Sequence, residues 1–314
     1  MEGPELSVVR APDPDLVKEI DALLDGVARS TGHAAVSEHK RTATLVAAGG
    51  RSSAGGEPHL VAGIVARDVG RPELVGYAPL VGDRRTHQYA VEMALAPSGD
   101  APALADALVA AASDVVVGNG GGTLRLWIAR ASSSDDDRAR AHGFRAERDL
   151  VQMRCPLPLP GGRRGPAIPT RPFRPGLDEE GWLRANNRAF ASHPEQGHWD
   201  LATLVEREKE PWFDPDGLRI LEADGRVAGS CWTKVHAHTT PPMGEIYVIG
   251  VDPDFHGRGW GRALTEAGLD WLSRRGLTVG MLYVDAGNVA AVSLYRSMGF
   301  ADDHVDRAYI GSFG

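Results

Sequence analysis

Apolar and polar positions along this chain switch between strand and helix spacing in a repeated order. The run "GEIYVIGVD", Gly244 to Asp252, is nearly unbroken apolar and β-branched, and predicts a buried strand. Leu264, Ala267, Gly268, Trp271 and Leu272 then recur at helical intervals and predict one face of a helix. "GLTVGMLYVD", Gly276 to Asp285, predicts the next strand. Asn288 suits an N-cap, Val292, Tyr295 and Met298 form a stripe behind it, and Gly299 suits the position that ends this helix. Upstream, "GLRILEADGRVAGSCWTKVHA" predicts a hairpin turning at Asp224-Gly225. The apolar run Leu104–Val117 is broken by Asp106 and Asp114 and is expected to be too short to span a bilayer.

The same order occurs twice. "ALAPSGDAPALADALVAAA" aligns with "GVDPDFHGRGWGRALTEAG", setting Pro97 on Pro253, and "ARAHGF" aligns with "YRSMGF", setting Gly143 on Gly299. Both pairs stand 156 residues apart. A constant offset across strand, helix, strand and helix indicates a tandem duplication. "CPLPLPGGRRGPAIPTRPFRPG", Cys155 to Gly176, is too rich in Pro and Gly for a helix or central strand and reads as a linker. The expected organisation is α/β (α+β): a first domain over 1–155, a linker over 156–176 and a second domain over 177–314. Each domain is expected to have a mixed central sheet with helices on both faces.

Composition narrows the function. The 314 residues carry a formal net charge of -8, which disfavours general binding to nucleic acid or a membrane surface. Any anionic ligand must be held locally. Cys155 and Cys231 lack metal-type spacing and read as reduced structural thiols. The start of the chain has no basic-then-apolar leader pattern, so a cytoplasmic protein is expected.

One stretch concentrates chemistry. Between the strand ending at Asp252 and the next helix lies His256-Gly257-Arg258-Gly259-Trp260-Gly261, followed by Arg262. A helix start offers unpaired N–H groups and partial positive charge. Glycines there permit close approach and φ > 0, and Arg258 and Arg262 add charge, so the turn suits a phosphate or diphosphate. It lacks the Lys-Ser/Thr pair of a P-loop and the full dinucleotide spacing. Glycines alone fit a tight connecting turn equally well.

The downstream order resembles the acetyl-CoA-dependent N-acetyltransferases of the GNAT superfamily: a strand ending in Val-Asp-Pro, a basic Gly-x-Gly-x-Gly turn, helix, strand, Asn before a second helix, Tyr, then Gly-Phe. That family's diphosphate motif is Gln/Arg-x-x-Gly-x-Gly/Ala, and His256 departs from its first position. "NNRAFASHPEQGHW", "WFDPDG", "CWTKVH" and "GEIYVIGVDP…LYVDAGNVAAVSLYRSMGF" extend the resemblance to the mycothiol synthase family, densely from Val151 to Tyr309. The resemblance implies transfer of acetyl from acetyl-CoA to the amine of a cysteinyl-glucosaminyl-inositol acceptor, the last step in making mycothiol. No metal, nucleic acid or membrane is implied, and a monomer is expected.

The resemblance also implies roles. Glu245 would relay the amine's proton; strand alternation sets it on one face with Tyr247 and Ile249. Backbone N–H groups of Ile249, Gly250 and Val251 would polarise the thioester carbonyl, and Tyr295 would protonate the leaving thiolate. His256 to Arg262, with Asn288, Ala290, Ala291 and Ser293, would hold the coenzyme. Glu38, Glu195, Lys234, Tyr283 and Glu245 would contact the acceptor. Taken singly, Glu245 reads first as a solvated strand end and Tyr295 as core packing. Trp199, Trp212 and Trp232 read as core or pocket wall, and His236-Ala-His238 lacks a third ligand for a metal site.

The first half serves as an internal control. At matching positions Gly257, Gly259 and Gly261 become Ala101, Ala103 and Ala105, and Arg258 and Arg262 become Pro102 and Asp106. Glu245 becomes Tyr89, and Tyr295 becomes Ala139. The first domain is therefore expected to be catalytically silent. An N-acetyltransferase for another amine or peptide, or a non-catalytic acyl-CoA sensor, stay open as alternatives. Acceptor choice separates the first of these, and thioester binding without CoA release the second.

Overall fold

The computed structural model describes residues 4–49, 59–68, 73–97, 101–162, 165–166, 168–191, 196–237 and 239–314. The chain forms two compact units, Met1–Leu150 with His304–Gly314, and Val151–Asp303. The first contains β1 (Glu5–Val9), α1 (Pro14–Thr31), α2 (Glu38–Ala48), β2 (His59–Arg67), β3 (Leu74–Asp83), β4 (Gln88–Val91), β5 (Ala94–Leu95), α3 (Ala101–Gly118), β6 (Gly122–Ile128) and α4 (Ser133–Ala141). Strand β7 (Arg145–Pro156) carries the chain into the second unit. There follow β8 (Thr170–Pro172), α5 (Glu179–Ala189), α6 (Leu201–Glu208), β9 (Leu218–Ala223), β10 (Arg226–His236), β11 (Met243–Val251), α7 (Trp260–Arg274), β12 (Val279–Asp285), α8 (Val289–Ser297) and β13 (Ala301–Phe313).

In the first unit the strand order is β1-β2-β3-β4-β6, with β5 on β3. The chain's last strand completes it: β13 runs antiparallel to β6, from Arg307 opposite Ile128 to Phe313 opposite Gly122. Helix α1 packs Ile20, Leu23, Leu24 and Val27 with Val65 and Tyr77 of the sheet. Helix α3 packs Leu104, Leu108 and Ala112 with Ile64, Ala66, Ala78 and Leu80. The apolar run is longer than the sequence reading allowed. Its 18 residues are long and apolar enough to cross a membrane, the one such helix among the described residues. Asp106 and Asp114 do not end it, because its apolar positions follow the helical period toward the core.

The second unit orders its strands β7-β12-β11-β10-β9-β8. Strands β11 and β12 are parallel, and β10 is antiparallel to both β11 and β9. Asp224 and Gly225, both at positive φ, turn the β9–β10 hairpin as expected. Trp182, Ala185 and Leu204 of α5 and α6 cover one face, against Leu218, Ile220, Trp232 and Val248. Helix α7 covers the other, close enough for Gly268 to lie against Cys231. Helices thus cover both faces of each sheet. The internal repeat is visible in the elements: adding 156 to the bounds of α4 gives those of α8, and adding it to the end of α3 gives the end of α7, which starts three residues later than that offset predicts.

Candidate active site

The glycine turn is built from its backbone outward. Asp252 is buried and caps a single 3₁₀ turn, Pro253–Phe255, by accepting from Asp254 N at 3.0 Å. Arg188 of α5 donates to Asp252 at 2.8 Å and to Asp254 at 2.8 Å. Arg226 of β10 reaches Asp254 at 2.6 Å, and these two guanidinium groups hold its carboxyl below the usual range. His256 Nε2 donates to Val251 O at 2.9 Å and ties the turn back to β11. Gly257 and Gly259 then take left-handed φ of 78° and 74°. A Cβ on Gly257 would meet nothing within 4 Å, so that face of the turn is open.

Gly259 is the N-cap of α7 and supplies no side-chain cap. The first helical bond comes only at Ala263 N to Gly259 O, 3.3 Å, which leaves the N–H groups of Trp260, Gly261 and Arg262 outside the helical ladder. Phe255 and Trp260 stack at 5.4 Å, and Arg258 lies 5.2 Å and 5.1 Å from their ring centres. Arg262 donates to Ser297 at the end of α8. Donors, dipole and cations therefore converge on one exposed turn.

Beside this turn the sheet opens. Strand β11 pairs with β12 only from Met243 opposite Val279 to Ile246 opposite Leu282. From Tyr247 to Val251 it keeps β10 alone, so one backbone edge is unpaired with β12. On the β10 side, Trp232 faces Val248 while Thr233 faces Ile246, which makes Tyr247 a bulge residue. The bulge corrects the expected alternation. Glu245 and Tyr247 share the α5–α6 face, but Ile249 sits opposite Cys231 and faces α7. The extra residue shifts the period by one, so Ile249 leaves Glu245's face. Gly250 turns toward Ala189, the last residue of α5, and Phe190, its C-cap, instead.

Glu245 is buried to 8% exposure, directly opposite Lys234. Its Oε2 lies 2.7 Å from Nε2 of His236. The Lys234 ammonium stands 4.2 Å from the Trp212 ring and 5.6 Å from Tyr247. Trp182, Trp199, Trp212 and Trp232 form an aromatic cluster behind them that belongs to the core of this face. Sequence reasoning missed His236 here. Nine residues separate it from Glu245, and only the β10–β11 register joins them. His238 lies outside the described residues.

Tyr295 lies on the other side, beneath the α7 face. Its ring packs against Phe300 at 5.7 Å, and burial pushes its phenol up to about 12, with Cys231 adding to the shift. Cys231 and Cys155 are free and buried, and burial pushes each thiol up to about 12, so neither is an available thiolate. Asn288 caps α8 by accepting from Ala291 N at 3.1 Å. Ala290 and Ser293 are exposed and Ala291 half-buried, on the same first turns. Tyr283 on β12 accepts from Gln152 Nε2 at 2.7 Å, and Arg154 holds Gln152 at 2.8 Å.

Two further acceptor residues were expected. Glu195 lies outside the described residues. Glu38 begins α2 in the first unit, where Ser37 N donates to Glu92 at 2.5 Å and Lys40, 1% exposed, pairs with Glu92 at 2.6 Å. The first unit also has a cleft of about 290 Å³, lined by Met93, Leu95, Ala101, Pro102, Trp127 and Ile128 among others. Those six positions correspond, 156 residues on, to Ile249, Val251, Gly257, Arg258, Tyr283 and Val284. The opening beside the broken strand is thus kept in the first unit without its glycines and cations.

Comparison with known proteins agrees with this geometry. Residues 181–300 match the family described as Acetyltransferase (GNAT) family. A mycothiol acetyltransferase of Acidimicrobium ferrooxidans is 40% identical over 309 residues, covering 96% of each chain. Another, of Streptomyces coelicolor, is 40% identical over 303 residues, covering 94% of this chain and 92% of its own. In fold, the chain is similar to a tandem GNAT protein from the clavulanic acid biosynthesis pathway, with TM-score 0.69 and 18% identity across 99% of both chains. This chain is an acetyl-transferring enzyme and belongs to the mycothiol acetyltransferase family.

Proposed function

We propose that the second unit transfers acetyl from acetyl-CoA to the cysteinyl amine of a cysteinyl-glucosaminyl-inositol acceptor, giving mycothiol and CoA. The observation that carries this reading is the adjacency of two features: a glycine turn with outward N–H groups, and a strand edge left open by the bulge at Tyr247. Acetyl-CoA supplies the acetyl group as an activated thioester. The residues present fit it. The open face at Gly257 and the α7 start suit a diphosphate, and the unpaired edge of β11 suits an amide-bearing chain that hydrogen-bonds as an added strand.

His256 to Arg262 hold the diphosphate, with Asn288, Ala290, Ala291 and Ser293 beside it. Of the N–H groups of Ile249, Gly250 and Val251, strand alternation turns that of Gly250 toward β10 and leaves those of Ile249 and Val251 to face the developing charge on the carbonyl oxygen; one aimed donor contributes about 3 kcal/mol in a water-excluded site. Glu245 takes the proton from the amine, whose pKa of about 8 keeps it mostly protonated at neutral pH. Tyr295 holds a proton for the leaving thiolate. Lys234 and Tyr283 contact the acceptor, with Glu38 and Glu195 as further acceptor ligands. The first unit is catalytically silent: Ala139 stands where the second has Tyr295, and the strand register sets Ala90, rather than the Tyr89 that the constant offset gave, where the second has Glu245.

A mass-resolved acetylation assay tests this. The cysteinyl acceptor is compared with simple amines, beside Glu245→Gln. Preference for the cysteinyl acceptor and loss of turnover in the variant are expected. Equal turnover of every amine overturns the acceptor assignment and leaves the acetyltransferase assignment standing.

A further inference from the structure

We infer that His236 is a positioning residue for Glu245: its imidazole holds one carboxylate oxygen in place, so that the other oxygen is presented to the amine. The inference rests on the proposed role of Glu245 as proton acceptor and adds a residue to which neither motif nor spacing assigned any part.

The geometry is specific. Lys234 is directly opposite Glu245 on the neighbouring strand, and His236 is two residues further along on the same face, opposite Met243. Cross-strand diagonal neighbours are within reach of long side chains. The imidazole uses that reach, and Nε2 stands 2.7 Å from Oε2. A carboxylate only accepts hydrogen bonds, so the hydrogen lies on Nε2. The backbone of His236 is itself fixed, since Thr239 Oγ1 donates to its carbonyl at 2.9 Å. Both side chains are largely buried, at 18% and 11% exposure, so water competes weakly for the bond.

One consequence follows for the chemistry. One oxygen is occupied, so the carboxylate plane is set and Oε1 has a single rotamer to offer. Lys234, on the same face, has its ammonium over the Trp212 ring. On the far side of β11, Glu245 is paired in register with Met281, which carries no charge.

Steady-state kinetics of the full chain test this, with acetyl-CoA and the cysteinyl acceptor, for His236→Phe, His236→Gln and Glu245→Gln. His236→Phe is expected to lower kcat at least tenfold while the acceptor KM stays within threefold. His236→Gln, whose amide can still donate, is expected to stay within about threefold of wild type. If Glu245→Gln is impaired but His236→Phe keeps the wild-type rate, the positioning role is overturned alone. Equal losses in His236→Gln and His236→Phe overturn it too, since shape then matters and donation does not. An unimpaired Glu245→Gln removes the proton-acceptor reading, and this inference goes with it.

Discussion

The sulfur of Cys231 occupies the place that a side chain on Gly268 would take. A Cβ built there stands 2.5 Å from Sγ, 2.8 Å from Cδ1 of Ile246 and 3.2 Å from Cγ2 of Thr233. The missing side chain lets α7 approach the sheet at the point where β11 leaves β12. Gly268→Ala therefore overpacks the α7 face and is expected to destabilise the chain by about 1–3 kcal/mol. Ile246 immediately follows Glu245, so strand displacement should also lower kcat. A lowered urea midpoint with an unchanged slope checks the first part. An unchanged midpoint would show that α7 has room to spare.

Gly257 separates binding from stability. Its φ of 78° disfavours any residue with a Cβ by about 1–2 kcal/mol, yet the surrounding protein leaves that space open. Gly257→Ala is expected to cost about 1 kcal/mol of stability and to raise the KM for acetyl-CoA at least tenfold, with the acceptor KM little changed. Kinetics with each substrate varied in turn decides it. A methyl group that leaves the coenzyme KM untouched would place the diphosphate elsewhere.

Much of this was legible before any coordinates. The 156-residue offset carried the bounds of α4 onto α8, because duplicated helices keep their caps and stripes. Asn288 as N-cap and Asp224-Gly225 as turn rest on local chemistry, which sequence reports well. The sheet that a strand joins is not local. Residues 304–314 complete the first unit's sheet, a partner choice that offset and composition leave undetermined. The bulge at Tyr247 was equally hidden, since counting by twos assumes no extra residue. His236 was read for metal and found no third ligand. The hairpin register that sets it on Glu245 emerges only once β10 and β11 are paired.

Tyr295 should act as a proton donor over the whole working range. Burial, with the nearby Cys231, raises its phenol from 10.0 to about 12. Because the folded value exceeds the unfolded one, its favourable contribution to stability is complete below pH 10 and is lost as pH rises from 10 toward 12. Tyr295→Phe is expected to lower kcat by about 10²–10⁴-fold, the span of general acid catalysis. It should also flatten that alkaline loss of stability. Thermal unfolding at pH 9 and pH 11, beside kcat at neutral pH, measures both. A variant with wild-type kcat would reduce Tyr295 to packing against Phe300.

The two units differ at the glycine turn proposed to hold the diphosphate, which sets a countable outcome. The first unit keeps a cleft between Met93–Leu95 and Trp127–Ile128, but α3 begins with Ala101 and Pro102. Pro102 has no N–H to offer, and Asp106 replaces the cation of Arg262. A diphosphate there would meet fewer donors and a carboxylate. Acetyl-CoA is therefore expected to bind the full chain at one tight site. Arg258→Ala and Arg262→Ala should each weaken that site about fivefold, near 1 kcal/mol for an exposed cation at a helix start. Titration calorimetry reads the stoichiometry and the Kd together. Two sites of similar affinity, only one of them sensitive to Arg258, would show that the first unit binds the coenzyme without a glycine turn.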